Sequence, residues 1–182
     1  MIVGLSGKKQ SGKSTVARYL KAKYKFAEVF WAEPLKEQIG RGLFGLDDAQ
    51  LYGSDAAKEA IIPKWGMSAR EIYQKVGTDC FRDRIHPDFW VILGSDRIHA
   101  VSSIGNDVVV TDCRFPNEMD AIKTLGGHSI RVIREGQETK DEHESETALD
   151  SYEFDTVLTA SSGDLPGLHK LVSEFLNAVA KN

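Results

Sequence analysis

Short apolar runs alternate with longer amphipathic stretches along most of this 182-residue chain. The short runs are rich in Val, Ile and Leu, as buried parallel strands are, whereas the longer stretches repeat apolar residues at helical spacing. Strands are predicted at 2–5, 26–31, 107–111, 128–133 and 155–159. This alternation predicts an α/β fold, a three-layer sandwich built on a mostly parallel five-stranded sheet.

The longer stretches predict helices that separate these strands. They are expected at 13–24, 34–44, 68–84, 88–101, 116–126 and 165–179, the third of which begins with a capping box formed by Ser68 and Glu71. Residues 45–67 are interpreted as loop or short helix. The acidic segment 135–147 has no large apolar side chain, and is therefore interpreted as a mobile surface segment rather than part of the core.

Composition narrows the class of protein. A hydrophobic content of 41%, a charged content of 27% and a net charge of −4 are typical of a globular protein without affinity for nucleic-acid polymers. No apolar run is long enough to span a membrane, and Cys80 and Cys113 show neither disulfide nor zinc spacing. We therefore expect a cytoplasmic protein of one domain, with a helical region at about 34–101.

The first turn carries the strongest motif. It fits the P-loop pattern G-x-x-x-x-G-K-[ST] at every fixed position, between a predicted strand and a predicted helix. Its residues are Gly7, Lys8, Lys9, Gln10, Ser11, Gly12, Lys13 and Ser14. The backbone N–H groups are expected to face ATP phosphates, with Lys13 on the β- and γ-phosphates and Ser14 on Mg²⁺.

Ligands of parallel sheets bind beyond the carboxyl ends of the strands, which directs attention to the residues found there. Asp112 follows the strand 107–111 and is a candidate for holding Mg²⁺, and Arg114 is a candidate phosphate clamp. Arg131 and Arg134 flank the end of the next strand, so strand alternation would bring only one of them to the phosphates. Lys36, in the first turn of its helix, is a weaker candidate.

The predicted helix 68–84 carries two stripes at steps of four residues. The apolar stripe is Ile72, Val76 and Cys80, and the polar stripe is Arg70, Gln74, Thr78 and Arg82. An arginine, an amide and a hydroxyl in line suit a phosphate and a base or sugar better than they suit a merely solvated face. Gly77 costs about 1 kcal/mol against alanine in a helix, which predicts close packing at that point.

Together these motifs resemble the deoxynucleoside monophosphate kinases of bacteriophages, a branch of the P-loop nucleotide kinases. The resemblance extends over nearly the whole chain. Its motifs are "LSGKKQSGKST", "EPLK", "SAREIYQKVGTD", "DFWV", "TDCRFPNEMDA", "VIREGQ", "DEHESE" and "TASSGDLPGLHKL". It implies transfer of the ATP γ-phosphate to a deoxynucleoside 5′-monophosphate, with Mg²⁺, under a mobile lid at about 134–148.

The resemblance also implies roles for individual residues. Lys13, Ser14 and Thr15 would hold ATP and Mg²⁺, Arg134 would face the nucleotide, and Trp90 would support the pocket. The implied acceptor site comprises Lys9, Lys36, Arg70, Gln74, Thr78, Asp79, Arg114 and Glu118. Where relatives tend to have Asn-Asp-Gly after the last strand, this chain has Ala160-Ser161-Ser162-Gly163, so donor selectivity stays open.

Two alternative functions remain open at this point. One is a small-molecule kinase similar to dephospho-coenzyme A kinase, in which Asp112 would act as base towards an alcohol. The other is a regulatory NTPase, which would need a base-reading motif such as N-K-x-D that the chain lacks. The accepted bases and a homodimer through 43–65 are equally open.

Overall fold

The computed structural model of the chain describes residues 1–136 and 143–181. Its strands are β1 (Ile2–Ser6), β2 (Ala27–Val29), β3 (Ile61–Ile62), β4 (Met67–Ser68), β5 (Val108–Val110), β6 (His128–Arg134) and β7 (Thr156–Ala160). Its α-helices are α1 (Lys13–Tyr24), α2 (Asp48–Tyr52), α3 (Asp55–Glu59), α4 (Ala69–Tyr73), α5 (Phe89–Ser103), α6 (Pro116–Thr124), α7 (Glu144–Thr147) and α8 (Leu165–Val179). Two segments are π-helices, which we name π1 (Leu35–Arg41) and π2 (Gln74–Ile85).

The chain divides into two compact units. Unit 1 comprises Met1–Phe30 and the chain from Ser95 onward, and unit 2 comprises Trp31–Gly94. The predicted single domain with a helical region at 34–101 and a lid at 134–148 stays a prediction. Residues 137–142 of that predicted lid lie outside the described residues.

Unit 1 contains a five-stranded parallel sheet in the order β2-β5-β1-β6-β7. The α/β fold class and the five-stranded sheet are therefore confirmed. Register places Ser6, the last residue of β1, beside Arg131 of β6, and Gly4 beside Val110, the last residue of β5. The loops that follow β1 and β5 consequently leave the same edge of the sheet, next to Arg131.

Helices cover both faces of this sheet. On one face, α1 and α8 bury Val16, Leu20, Val172 and other apolar side chains against β1, β6 and β7. On the other face α6 packs closely, since a Cβ at Gly4 would lie 2.9 Å from Ile122 and 3.3 Å from the sulfur of Met119. Leu165, predicted on the buried face of the last helix, is 51% exposed instead, because it lies in the first turn of α8 and beyond the sheet.

Unit 2 is mainly helical, with an antiparallel hairpin of β3 and β4. The helix predicted at 68–84 is present, and Ser68 and Glu71 form its predicted capping box. It continues from α4 into π2, however, where i→i+5 hydrogen bonds widen each turn. Positions four apart therefore drift around the axis, and Cys80, predicted on the apolar stripe, is exposed.

Part of the acidic segment also differs from the prediction. Residues 144–147 form the short helix α7, in which Ser145 is buried, and Leu149 just beyond it is 2% exposed. The interpretation of 135–147 as a segment without a core element is thus wrong for its last turn. The sequence pattern failed here because the buried groups are a serine and a glutamate rather than apolar side chains.

Candidate functional site: a phosphate cleft at the P-loop

The P-loop connects β1 to α1 through backbone conformations that few residues adopt. Gly7 and Gly12 have φ of 151° and 110°, and Gln10 has a φ of 62°. The first turn of α1 is closed by the N–H groups of Thr15 and Val16, which donate to the carbonyl of Gly12 at 2.9 and 3.0 Å. The loop thus ends at a helix N-terminus, where unpaired N–H groups and the helix dipole favour anions.

Two features of the loop indicate that it fits phosphate. The hydroxyl of Ser11 is buried and has no hydrogen-bond partner among the described residues. A buried polar group without a partner is costly, so this hydroxyl is available to a ligand oxygen. A Cβ at Gly7 would lie 2.5 Å from the same hydroxyl, so the hollow of the loop exists only with glycine.

Lys13 folds back across the loop. Its ammonium donates to the carbonyls of Gly7 and of Lys8, the latter at 3.0 Å. Burial, and after it the charge of Arg114, lower the pKa of Lys13 to about 8. Because a phosphate would supply the missing negative charge, the position of this lysine suits an anionic ligand.

The cleft in front of the loop collects residues from the ends of three parallel strands. We call it the phosphate cleft, and it is lined by Ser6, Gly7, Lys13, Thr111, Asp112, Cys113, Arg114, Arg131, Ser145, Glu146 and Leu149. The sheet register explains this convergence, since β1, β5 and β6 are adjacent and end together. Four of the predicted catalytic and binding side chains therefore lie in one place: Lys13, Asp112, Arg114 and Arg131.

Glu118 fixes the turn that carries Arg114. Its carboxylate is 3% exposed and accepts the backbone N–H groups of Arg114 at 2.6 Å and Phe115 at 3.1 Å. Glu118 is thus the third residue of α6 and serves as the carboxylate of a capping arrangement. The guanidinium of Arg114 forms an ion pair with Glu146 and donates to the carbonyl of Ser145 at 3.3 Å.

Lys8 and Arg131 share a carboxylate. Asp150 accepts from the ammonium of Lys8 at 2.6 Å and from the guanidinium of Arg131 at 2.8 Å. Burial alone would raise the pKa of Asp150, but these two hydrogen bonds outweigh it and lower the pKa. Arg131 also donates to the hydroxyl of Ser6 at 3.2 Å, which holds it at the edge of the P-loop.

The residues predicted to bind Mg²⁺ have the donor chemistry that this ion prefers. Ser14 is an exposed residue of the first turn of α1, and Asp112 lines the phosphate cleft. Hydroxyl and carboxylate oxygens suit Mg²⁺, which completes its octahedron with water and phosphate oxygens. Among residues 1–136 and 143–181, no group of three or more His, Cys, Asp or Glu side chains could hold a metal by itself.

In unit 2, Arg70 is held by two carboxylates of α3. Its guanidinium pairs with Asp55 at 2.8 Å and with Glu59 at 3.5 Å. Thr78 is 7% exposed on π2. Gln74 begins π2, and Asp79 follows Thr78 in it.

Close packing at Gly77 is confirmed. A Cβ there would lie 2.5 Å from Leu35, and the carbonyl of Gly77 accepts the indole N–H of Trp90 at 2.8 Å. Trp90, 5% exposed, thus braces π2, and its support of a substrate pocket stays a prediction. Lys36, also in unit 2, lies over the ring of Tyr52, 4.9 Å from its centroid.

Some predicted residues lie outside the lining of the phosphate cleft. Arg134 ends β6, and by alternation it points to the face of the sheet opposite to Arg131. Of the predicted binding residues at the P-loop, only Gly7 and Lys13 line the cleft; those outside the lining are Lys8, Lys9, Gln10, Ser11, Gly12, Ser14 and Thr15. Conversely, Glu146 and Asp150 were missed, because nothing in their spacing distinguishes them from the other acids of their segment.

A family model for deoxynucleotide monophosphate kinases matches residues 43–171. A protein of Acanthamoeba polyphaga mimivirus that is provisionally named deoxynucleotide monophosphate kinase is 38% identical over 98% of this chain and 94% of its own length. The deoxynucleotide monophosphate kinases of Escherichia phage RB69 and Enterobacteria phage T4 are 33% and 30% identical. These two matches cover 60% and 62% of this chain, and 45% and 46% of the phage enzymes.

Solved structures agree on the fold. The shikimate kinase of Aquifex aeolicus matches with a TM-score of 0.54 at 15% identity, over 99% of this chain and 98% of that one. The shikimate kinase of Bacteroides thetaiotaomicron matches with a TM-score of 0.53 at 13% identity, over 97% and 98%. At such identities the likeness shows the shared fold alone. As for membranes, none of the described helices combines the length and the apolar character that crossing one requires.

Proposed function

Because the chain belongs to the deoxynucleotide monophosphate kinase family, we propose that its phosphate cleft binds the phosphates of ATP and that α4 and π2 carry the acceptor-binding side chains. The protein is an enzyme that transfers a phosphoryl group to a deoxynucleoside 5′-monophosphate and so produces the diphosphate. The observation that carries the assignment of the cleft is the meeting of Lys13, Asp112, Arg114 and Arg131 beside an unpartnered Ser11 hydroxyl.

On the donor side, the P-loop N–H groups and the Ser11 hydroxyl bind phosphate oxygens, and Lys13 reaches the β- and γ-phosphates. Ser14 and Asp112 hold Mg²⁺, which neutralises charge on those oxygens when bound. The remaining donor-binding residues of the proposal are Gly7, Lys8, Gln10, Gly12 and Thr15. Arg131 lines the cleft and therefore contacts the transferred group. Arg134, on the opposite face of the strand, contacts the nucleoside instead.

On the acceptor side, Arg70 pairs with the monophosphate, and Gln74, Thr78 and Asp79 bind the nucleoside. Lys9, Lys36, Arg114 and Glu118 complete this set as predicted from the resemblance. Glu118 contributes through the turn that it holds, since its carboxylate already accepts two backbone N–H groups.

The chemistry demands positioning rather than a base. A monophosphate oxygen is already ionised and nucleophilic, so the enzyme aligns it with the γ-phosphorus and neutralises the charge of the moving group. Lys13, Arg114 and Arg131 supply that positive charge from fixed positions. Preorganised charge in a confined cleft is the largest single contribution to most such reactions.

The proposal is tested by ADP release from Mg-ATP with dAMP, dCMP, dGMP, dTMP, AMP and GMP supplied one at a time. Stimulation by one or more deoxynucleotides is expected, together with its loss in Lys13→Ala. Stimulation by an alcohol acceptor instead, or a flat panel at the rate of background hydrolysis, would contradict the acceptor assignment.

We further propose that the enzyme acts in the cytoplasm, where ATP and deoxynucleotides are both present. A homodimer stays a prediction for the surface at 43–65, on which Leu43 is 73% and Ile61 is 62% exposed. Cell fractionation and the molar mass in solution test these two points.

A further inference from the structure

Two cations of the phosphate cleft, Arg114 and Arg131, and the neighbouring Lys8 of the P-loop are neutralised by one short stretch of chain, residues 145–150. Arg114 pairs with Glu146, and Asp150 bridges Lys8 and Arg131 at 2.6 and 2.8 Å. Backbone carbonyls of the same stretch add to these contacts, since Lys8 also donates to the carbonyl of Glu146 at 2.7 Å. These carboxylates therefore occupy the N–H groups that a phosphate would use.

The burial of Glu146 shows that this pairing is more than a surface contact. Its side chain is 6% exposed, although it lies in a helix of four residues whose first and last members, Glu144 and Thr147, are exposed. A carboxylate is buried to this extent only when a cation compensates for its lost hydration. Glu144, two residues earlier in the same helix, is exposed.

The carboxylates also stabilise the cations, because the cations repel one another. Lys8, Lys13, Arg114 and Arg131 carry four positive charges around one cleft, and Arg114 and Arg131 both lower the pKa of Lys13 while Glu146 raises it. The carboxylates of Glu146 and Asp150 offset this repulsion, and backbone carbonyls assist them. A carboxylate and a phosphate present similar oxygen pairs to a guanidinium, so the two are natural competitors for it.

We propose that Glu146 and Asp150 are positioning residues that hold Arg114, Arg131 and Lys8 in place and release them to phosphates that bind in the cleft. Glu146 acts through Arg114, and Asp150 acts through Lys8 and Arg131. The inference rests on the proposed role of these cations in phosphate binding. Neither carboxylate touches the reacting atoms, so neither is a catalytic residue.

The test compares tripolyphosphate binding to the full-length wild type, Glu146→Gln and Asp150→Asn by calorimetry. Removing the competing charge while keeping the shape of the side chain should tighten binding at least about threefold, the scale of a partly exposed ion pair. Each variant should also melt at a lower temperature than the wild type without tripolyphosphate and regain most of the difference with it, because the ligand replaces the lost counter-charge. A general disturbance of the fold would weaken binding, so a gain in affinity identifies competition.

Glu144→Gln is the matched control, because it removes the same charge from the same helix at an exposed position, and it should leave both readouts unchanged. Binding by Glu146→Gln and Asp150→Asn that equals or is weaker than that of the wild type would overturn the inference while leaving the proposed function intact. If the wild type itself binds tripolyphosphate no better than Lys13→Ala does, the proposed function of the cleft fails as well, and the two failures are thereby distinguished.

Discussion

The phosphate cleft of unit 1 and the α4–π2 helix of unit 2 were predicted from different kinds of sequence pattern. The structure agrees with the two predictions to different extents. The cleft rests on a motif of fixed spacing, whose glycines take the positive φ angles that it requires. The prediction for the helix rests on a four-residue period of side chains. Residues four apart no longer share a face where the helix widens into π2. A motif of fixed spacing specifies the backbone geometry of the loop directly. A four-residue period, in contrast, assigns side chains to one face of a helix only if that helix is an α-helix.

The two regions share one feature, which is that acidic side chains hold their key cations in the absence of ligand. In unit 1 the acids are Glu146 and Asp150, and in unit 2 they are Asp55 and Glu59 around Arg70. The difference in burial lies at Glu146, whose side chain is 6% exposed, whereas those of Asp150, Asp55 and Glu59 are 48%, 32% and 48% exposed. Removing the charge of Glu146 should therefore have larger consequences than removing either carboxylate around Arg70.

The largest effect is expected from Lys13→Ala, which tests whether phosphoryl transfer takes place in the phosphate cleft. Loss of a preorganised cation should reduce kcat by about a thousandfold, because Lys13 is proposed to neutralise charge on the oxygens of the transferred group. Steady-state ADP release measures this directly. Lys170→Ala, which removes a lysine that is 77% exposed, is the control and should behave as the wild type. Turnover within about tenfold of the wild type in Lys13→Ala would remove the assigned role.

Arg70→Ala should separate the two regions by their kinetic signatures. Loss of a charge-assisted bond to the acceptor phosphate should raise KM for the monophosphate by about 10- to 100-fold, with a smaller effect on kcat and on KM for ATP. Arg84→Ala is the matched control, because it removes an exposed arginine from the same helix. A rise in KM for ATP alone would instead assign Arg70 to the donor.

Much of the fold can be predicted from the sequence, because the apolar runs that predict strands also become the buried strands of the sheet. Val108–Val110 is entirely apolar and forms a central strand, and the register of β1 with β6 brings Arg131 to the P-loop. The five strands of the sheet and the longer helices were placed within a few residues of their observed ends, whereas the hairpin of β3 and β4 lies where loop or short helix was expected. The exceptions were places where no apolar period exists, such as α7, whose buried members are Ser145 and the side chain of Glu146.

The sequence predicted the cations of the candidate site but not the acidic side chains that pair with them. Lys13, Asp112 and Arg114 follow strands and Arg131 lies near the end of one, and strand ends can be located from a sequence. Their counter-charges could not be located in the same way, because Glu146 and Asp150 reach the cleft through tertiary folding of an acidic segment. Which acid of such a segment becomes buried depends on the cation that it meets.

The pH dependence sharpens the contrast, because the pKa of Lys13, a proposed phosphate ligand in the cleft, is lowered towards neutrality. Burial and neighbouring arginines lower the pKa of Lys13 to about 8, so this lysine loses its proton as the pH rises through that value. At saturating acceptor, kcat/KM for ATP should be level below pH 8 and should fall above it by about tenfold per pH unit. A profile that stays level to about pH 10, as for an unperturbed lysine, would contradict the burial of this charge.

The smallest effect is expected in unit 2, from Gly77→Ala. Alanine favours a helix by about 1 kcal/mol over glycine, but its Cβ would lie 2.5 Å from Leu35 in a packed interior. Overpacking of this kind costs about 1–3 kcal/mol, so we expect a net loss of about 1 kcal/mol in the free energy of unfolding. Denaturant melts of Gly77→Ala, Leu35→Ala and the double variant measure it. The double variant should lose less than the sum of the two, because truncating Leu35 makes room for the new methyl group. Strict additivity would show that the clash is relieved elsewhere, and that Gly77 is required by the π-helical backbone rather than by its neighbour.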